Sequence, residues 1–92
     1  MSTTRFIRKQ GIVVQEMGSE SLLYSVEDKV INVLNPTAKL IWELCDDTHT
    51  LEDMEREVRD HFSISNEYNL IEDIKKTLDV FVGKGIVSER TL

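Results

Sequence analysis

The chain has 92 residues, of which 40% are hydrophobic and 30% charged, and its formal net charge is −6. This length supports one domain, and no apolar run approaches the roughly 20 residues that a membrane-spanning helix needs. The N-terminal MSTTRFIRKQ lacks the apolar segment of a secretory signal, and the one cysteine, Cys45, cannot form an internal disulfide. We therefore expect a single cytoplasmic domain.

The charges are distributed unevenly along the chain. Residues 1–34 carry four basic and four acidic side chains, whereas residues 35–82 carry five basic and twelve acidic ones. An acidic surface of this kind repels the phosphate backbone of nucleic acid. The second half of the sequence therefore argues against DNA or RNA as a partner.

Three short runs rich in β-branched and aromatic residues come first, at residues 11–17, 21–26 and 29–34. Turn-forming residues separate them, which predicts an antiparallel three-stranded meander. In the third run Val30 and Leu34 alternate with Ile31 and Val33, so both faces of this strand carry large apolar groups. Either the first strand or the N-terminal arm covers the second face, or the strand is open to a partner.

Three helical segments follow, each with its own start signal. Asn35 precedes Pro36 as an N-cap, Thr50 and Asp53 resemble a capping box, and Ser65 is predicted to open the third helix. The apolar stripes are Ala38, Ile41, Trp42 and Cys45; Leu51, Met54, Val58 and Phe62; and Ile71, Ile74, Leu78, Phe81 and Val82. We expect the core to contain Ile41, Trp42, Cys45, Leu51, Met54, Val58, Leu78 and Phe81.

Gly85 is placed to end the third helix in the left-handed conformation, with Ile86 folding back on Phe81. The predicted fold is α+β, with a three-stranded antiparallel sheet followed by three helices. Its three short helices resemble the core of winged helix-turn-helix domains. We expect an N-terminal arm at residues 1–10, one domain at residues 11–88 and a C-terminal tail at residues 89–92.

The sequence offers no convincing catalytic or metal site. The soft ligands Cys45, His49 and His61 do not have the spacing of a zinc site. Cys45 lies on the Trp42 stripe beside Asp46, so a buried, unreactive thiol is expected. The paired carboxylates lie among arginines and lysines on polar helix faces. We expect no catalytic residue, no metal and no cofactor.

The run L-N-P-T-A-x-x-I-W-x-L-C-D at residues 34–46 resembles that of PqqD-like peptide chaperones, also called RiPP recognition elements. The resemblance covers about residues 10–88. Its further matches are Gly11-Ile12-Val13-Val14, Leu23-Tyr24, Thr50-Leu51, Glu72-Asp73-Ile74 and Gly85-Ile86-Val87. One departure is Asp47-Thr48, since the family commonly has a glycine directly after the aspartate.

This resemblance implies a non-catalytic domain that binds the leader segment of a ribosomally made precursor peptide. The leader would add as a strand to the third strand, in the cleft against the third helix, and be presented to a separate modifying enzyme, often a radical SAM protein. The predicted peptide-binding residues are Lys29, Val30, Ile31, Asn32, Val33, Leu34, Leu70, Asp73, Ile74 and Thr77. Lys75 and Lys76 either meet acidic leader residues or are solvated.

Two other interpretations remain open at this point. The first is a winged-helix transcription regulator, although the third helix carries Glu67, Glu72, Asp73 and Asp79 beside Asn66 and Asn69. The second is an interaction module for another kind of protein. An open edge strand also permits self-pairing, so both a monomer and a dimer agree with the sequence.

Overall fold

The computed structural model of the protein describes residues 4–91. The elements in chain order are β1 (Thr4–Arg8), β2 (Ile12–Met17), β3 (Glu20–Ser25), β4 (Val30–Leu34), α1 (Pro36–Glu43), α2 (Leu51–Phe62), α3 (Leu70–Gly83) and β5 (Val87–Thr91). All strand pairs are antiparallel, which together with the three helices confirms the α+β class. The winged-helix likeness remains a prediction. No helix within the described range is long and apolar enough to cross a membrane.

Strands β2, β3 and β4 form the predicted meander in that spatial order. The register places Val13 beside Tyr24, and Tyr24 beside Ile31. Gly18 in the first turn and Lys29 in the second have φ of 63° and 58°. Glycine adopts this left-handed conformation freely, whereas at Lys29 it carries a steric cost.

The first two helices begin where the capping signals predict. The Asn35 side chain accepts a 2.8 Å hydrogen bond from the N–H of Ala38, and Pro36 is the first residue of α1. Before α2 the Asp53 N–H donates to Thr50 Oγ1 at 3.1 Å, while the Thr50 N–H donates to Asp53 Oδ2 at 3.0 Å. Both bonds of a capping box are therefore present.

The third helix begins later than the sequence predicts. Ser65 does not open it, because its Oγ accepts a 3.2 Å bond from the Glu67 N–H and so stabilises a local turn. The guanidinium of Arg59 donates to the Tyr68 carbonyl at 3.3 Å and holds this connection against α2. Helix α3 then starts at Leu70.

Strands β1 and β5 form a separate two-stranded ribbon, in which Phe6 lies beside Glu89. This pairing is not predicted from the sequence, in which residues 1–10 are expected to be an arm and residues 89–92 a tail; of these, residues 1–3 and 92 lie outside the described residues. The Arg8 N–H donates to the Cys45 carbonyl at 2.8 Å. The ribbon is thereby joined to the end of α1.

Buried apolar side chains join the inner face of the meander to the helices. The buried apolar residues of this core are Leu23, Leu34, Ile41, Trp42, Leu44, Cys45, Met54, Val58, Leu70, Ile74, Leu78, Phe81, Ile86 and Val87. The predicted core residues are buried as expected, except that Leu51 is only partly so. Trp42 donates its indole N–H to the Ile86 carbonyl at 3.4 Å, which ties α1 to the segment after α3.

Candidate peptide-binding groove

Strand β4 lies at the edge of the meander. It pairs with β3, from Ser25 beside Val30 to Ser21 beside Leu34, and has no second strand partner within residues 4–91. In an antiparallel pair, alternate residues direct their N–H and C=O groups away from the neighbouring strand. The free side of β4 therefore offers backbone donors and acceptors to an added strand.

The side chains of β4 divide between two faces. Asn32 and Leu34 point to the inner face and are 7% and 6% exposed. Ile31 and Val33 lie on the outer face and are 59% and 54% exposed. Residues 4–8 of the predicted arm pair with β5 and leave Ile31 and Val33 exposed. Within the described residues, the possibility of a covered edge is not realised.

A groove with a cavity volume of about 290 Å³ runs between β4 and α3. We call it the β4–α3 groove. Its lining residues are Ile31, Asn32, Val33, Leu34, Ala38, Thr77, Val80, Phe81, Lys84 and Ile86. Most of these side chains are apolar. An extended segment paired with β4 would place every second side chain into this groove, since strand side chains alternate between faces.

The predicted α3 wall is only partly at the groove. Thr77 lines it, but Leu70 and Ile74 are 3% and 0% exposed and belong to the core. Asp73 lies outside the lining and accepts a hydrogen bond from the Tyr68 hydroxyl. The predicted residues and the groove-lining residues lie on one side of α3 at helical neighbour spacing, but the groove lies about two turns nearer the C-terminal end of the helix. These three residues therefore do not line this groove, and their part in peptide binding stays a prediction.

The structure instead adds Val80, Phe81 and Lys84 to the wall. With Thr77 they fall at helical neighbour spacing, on one side of α3. Val80 is 51% exposed although it is apolar. An apolar residue beside the main stripe was the one signal in the sequence that could have indicated this second surface.

The three lysines considered as peptide-binding residues from the sequence lie away from the groove. Lys29 precedes β4 in the turn, where its N–H donates to the Ser25 carbonyl at 2.7 Å, and it does not line the groove. Lys75 lines a separate cavity with Thr4 and Leu51. Lys76 is exposed on α3 and lines neither cavity. None of the three is brought to the β4–α3 groove.

Three polar side chains line the groove. The Thr77 hydroxyl donates to the Asp73 carbonyl of its own helix at 2.9 Å, so its hydrogen is already used. The Nδ2 of Asn32 is buried and has no hydrogen-bond partner within residues 4–91. Lys84 is the one charged lining residue in that range, and no carboxylate there forms an ion pair with it. The groove thus contains two uncommitted donors.

The turn that leads into β4 is anchored to the rest of the fold. Asp28 Oδ2 accepts a 2.7 Å hydrogen bond from Lys9 Nζ, just after β1. This hydrogen bond, more than the Coulombic attraction, holds the pKa of the Asp28 carboxyl below its ordinary value. The start of β4 is therefore held in place before any partner arrives.

The residues considered as a catalytic nucleophile or as metal ligands lie outside the β4–α3 groove. Cys45 is fully buried, its thiol faces the Ile41 carbonyl at 3.3 Å, and burial, with a smaller contribution from Asp46, raises its pKa to about 12. This confirms a packing role, because a nucleophile needs an accessible thiolate. Among residues 4–91, no three His, Cys, Asp or Glu side chains are grouped to hold a metal ion.

The sequence of residues 20–87 matches the family model described as coenzyme PQQ synthesis protein D (PqqD). The match confirms the resemblance seen in the residues from Leu34 to Asp46. Among curated proteins, none matches the sequence.

Two solved structures share the fold. TbiB1, described in complex with the TbiA(beta) leader peptide, is 15% identical with a TM-score of 0.73, covering 89% of this chain and 94% of that one. The heterocyclase TruD is 17% identical with a TM-score of 0.63, covering 95% of this chain and 12% of that one. At these identities the similarity establishes the fold.

Proposed function

The chain belongs to the PqqD family, and from that premise we propose that it is a peptide chaperone for the leader segment of a ribosomally synthesised precursor peptide. The leader adds as a strand to the free edge of β4 and places alternate side chains in the β4–α3 groove. The observation that carries this proposal is that, within residues 4–91, the edge of β4 has no strand partner and an apolar groove lies directly beside it.

The TbiB1 structure supports this proposal, because a protein of the same fold is described with a leader peptide bound. Main-chain hydrogen bonds to β4 supply affinity without regard to sequence, and the groove supplies selectivity through the side chains that enter it. A leader that is disordered before binding loses conformational entropy when it orders. We therefore expect a dissociation constant near micromolar, equivalent to about −8 kcal/mol.

The chain presents the leader to a separate modifying enzyme and performs no chemistry itself. The buried thiol of Cys45 and the apolar lining of the groove support a binding role. We propose a radical SAM enzyme as the partner, as is common for PqqD-like proteins. In TruD the same fold occupies 12% of a chain described as a heterocyclase, so the fold is also found within a longer enzyme chain.

A transcription regulator is not favoured by the surface. Helix α2 exposes Glu52, Glu57 and Asp60, while Arg56 and Arg59 are already engaged with Asp53 and Glu55. Such a helix would bring net negative charge to DNA phosphates. Binding to random-sequence duplex at low salt would restore this alternative, and we expect none.

The test is an NMR titration of the isotopically labelled full chain. The probes are synthetic peptides of the N-terminal segments of short reading frames encoded beside its gene, each with a scrambled control. We expect one such segment to shift amide signals at residues 29–34 and 77–86 and to saturate near micromolar concentration. Shifts confined to α2 or to the β2 edge, or no shift from any of these segments, would contradict the proposal.

A further inference from the structure

The β4–α3 groove contains a buried amide donor that its surroundings leave unused. Asn32 is 7% exposed, and its Nδ2 has no hydrogen-bond partner within residues 4–91. A buried polar group without a partner is costly, so most such groups in folded proteins are satisfied. Because Asn32 lines the β4–α3 groove, a molecule bound there can supply the missing acceptor.

A second donor lines the same groove. Lys84 carries a positive charge that no carboxylate within residues 4–91 neutralises, and no acidic residue contributes to the lining. An ammonium group and an amide N–H together favour an anionic oxygen acceptor over a neutral one.

Resting on the proposed function, we propose that the β4–α3 groove recognises a carboxylate side chain, an Asp or Glu of the bound strand, through Asn32 and Lys84. Residues directly opposite on paired strands direct their side chains to the same face. The acidic residue of the peptide therefore lies opposite Asn32 or two positions away. Its groove-facing neighbours are apolar, since they meet Val80 and Phe81.

Replacing Asn32 should affect the stability of the free chain and its affinity for the peptide differently. Replacing Asn32 by Leu removes a buried unsatisfied donor and keeps the branched outline of the side chain, although leucine is the larger residue, so we expect the melting temperature of the free chain to be unchanged or to rise by a few degrees. Peptide binding weakens nonetheless, by about tenfold, because the hydrogen bond to the carboxylate is lost. A purely structural role for Asn32 would move both quantities in the same direction.

The experiment uses a displayed library of random twelve-residue peptides, selected in parallel on the full chain and its variants. The variants are Asn32→Leu, Lys84→Met and, as a control lysine on the same helix outside the groove, Lys76→Met. We expect the wild-type chain and Lys76→Met to recover peptides with alternate apolar residues and an enriched Asp or Glu. Asn32→Leu and Lys84→Met should keep the apolar pattern and lose the acidic residue. Long-range attraction to an acidic chain would instead enrich basic peptides.

One recovered peptide then tests the contact directly by fluorescence anisotropy. Changing its acidic residue to the amide should weaken binding to the wild-type chain by about tenfold and have little further effect on Asn32→Leu. Apolar peptides recovered without acidic enrichment would overturn this inference and leave the proposed function standing. Recovery of no peptide that perturbs β4 would overturn both. If the melting temperature of Asn32→Leu falls and the acid-to-amide change in the peptide still weakens its binding about tenfold, the amide of Asn32 has only a structural role.

Discussion

The backbone N–H of Ile86 donates a 3.1 Å hydrogen bond to the carbonyl of Phe81, and both residues line the β4–α3 groove. A second bond, from the Gly85 N–H to the Val82 carbonyl at 3.0 Å, completes a Schellman ending of α3. The same turn that stops the helix therefore fixes one end of the groove. It depends on Gly85, whose φ is 74°.

The two glycines at this helix end should respond oppositely to alanine. A Cβ at Gly85 meets no atom within 4 Å, so the cost of Gly85→Ala comes from the left-handed backbone and should be about 1–2 kcal/mol. Gly83 lies within α3 and is equally uncrowded, so Gly83→Ala should stabilise by about 0.4–1 kcal/mol. Urea unfolding of both variants checks this. A stabilising Gly85→Ala would mean that the turn is not formed.

Two exposed valines on α3 provide a test position in the groove and a control position outside it. Val80 and Val82 are 51% and 38% exposed, but only Val80 lines the groove. Val80→Glu should weaken peptide binding by about tenfold or more, because a carboxylate would be desolvated against apolar side chains. Val82→Glu should leave binding unchanged, and both variants should fold. Equal losses from both, measured by fluorescence anisotropy, would place the peptide elsewhere.

The thiol of Cys45 should be inert in the folded protein. Burial raises its pKa to about 12, so almost no thiolate exists at pH 8, and the sulfur is also inaccessible. A disulfide reagent such as dithionitrobenzoate should react with the chain only in guanidinium chloride. Rapid reaction of the native chain would contradict the packing role and reopen a chemical one.

Stability should fall in acid partly through Asp46. Desolvation opposes ionisation of this carboxylate, but hydrogen bonds from the Thr48 side chain, His49 and the Thr48 backbone together hold its pKa below the ordinary value. Its contribution is therefore complete above the unfolded pKa of 3.8 and is lost as the pH falls through the lower, folded value. Asp46→Asn should show a shallower loss of unfolding free energy below about pH 4.

A control for this pH dependence is Asp60→Asn, since Asp60 is exposed on α2 and accepts no hydrogen bond within the described residues. This variant removes a carboxylate without removing a hydrogen bond, so it is the reference with which the acid profile of Asp46→Asn is compared. If the profile of Asp46→Asn follows that of Asp60→Asn, the hydrogen bonds to Asp46 do not form in solution.

The parts of the fold that could be predicted are those encoded locally. Asn35 and Thr50 bond to backbone groups three residues away, so the sequence reveals both helix starts. Ser65 offers the same type of side chain, but its oxygen stabilises a turn at Glu67 instead. Local patterns cannot decide between these two uses of a serine.

The ribbon of β1 and β5 could not be predicted in the same way. It pairs Phe6 with Glu89, near opposite ends of the chain, and β5 lacks an alternating apolar pattern. The groove was predicted in part, because strand β4 and the side of α3 were identified, but the residues chosen on α3 lie nearer its N-terminal end than the groove does. Leu70 and Ile74 are buried in the core, whereas the groove begins at Thr77, and helical spacing alone does not show where along a helix a groove lies.

Amide hydrogen exchange of β4 tests strand addition most directly. The measurement compares the free full chain with its complex with one peptide recovered from the twelve-residue library. Alternate amides within Val30–Leu34 should exchange rapidly in the free chain and become protected in the complex, while the outer amides of β2 remain unchanged. Full protection of β4 in the free chain, or protection gained at β2 instead, would contradict the account.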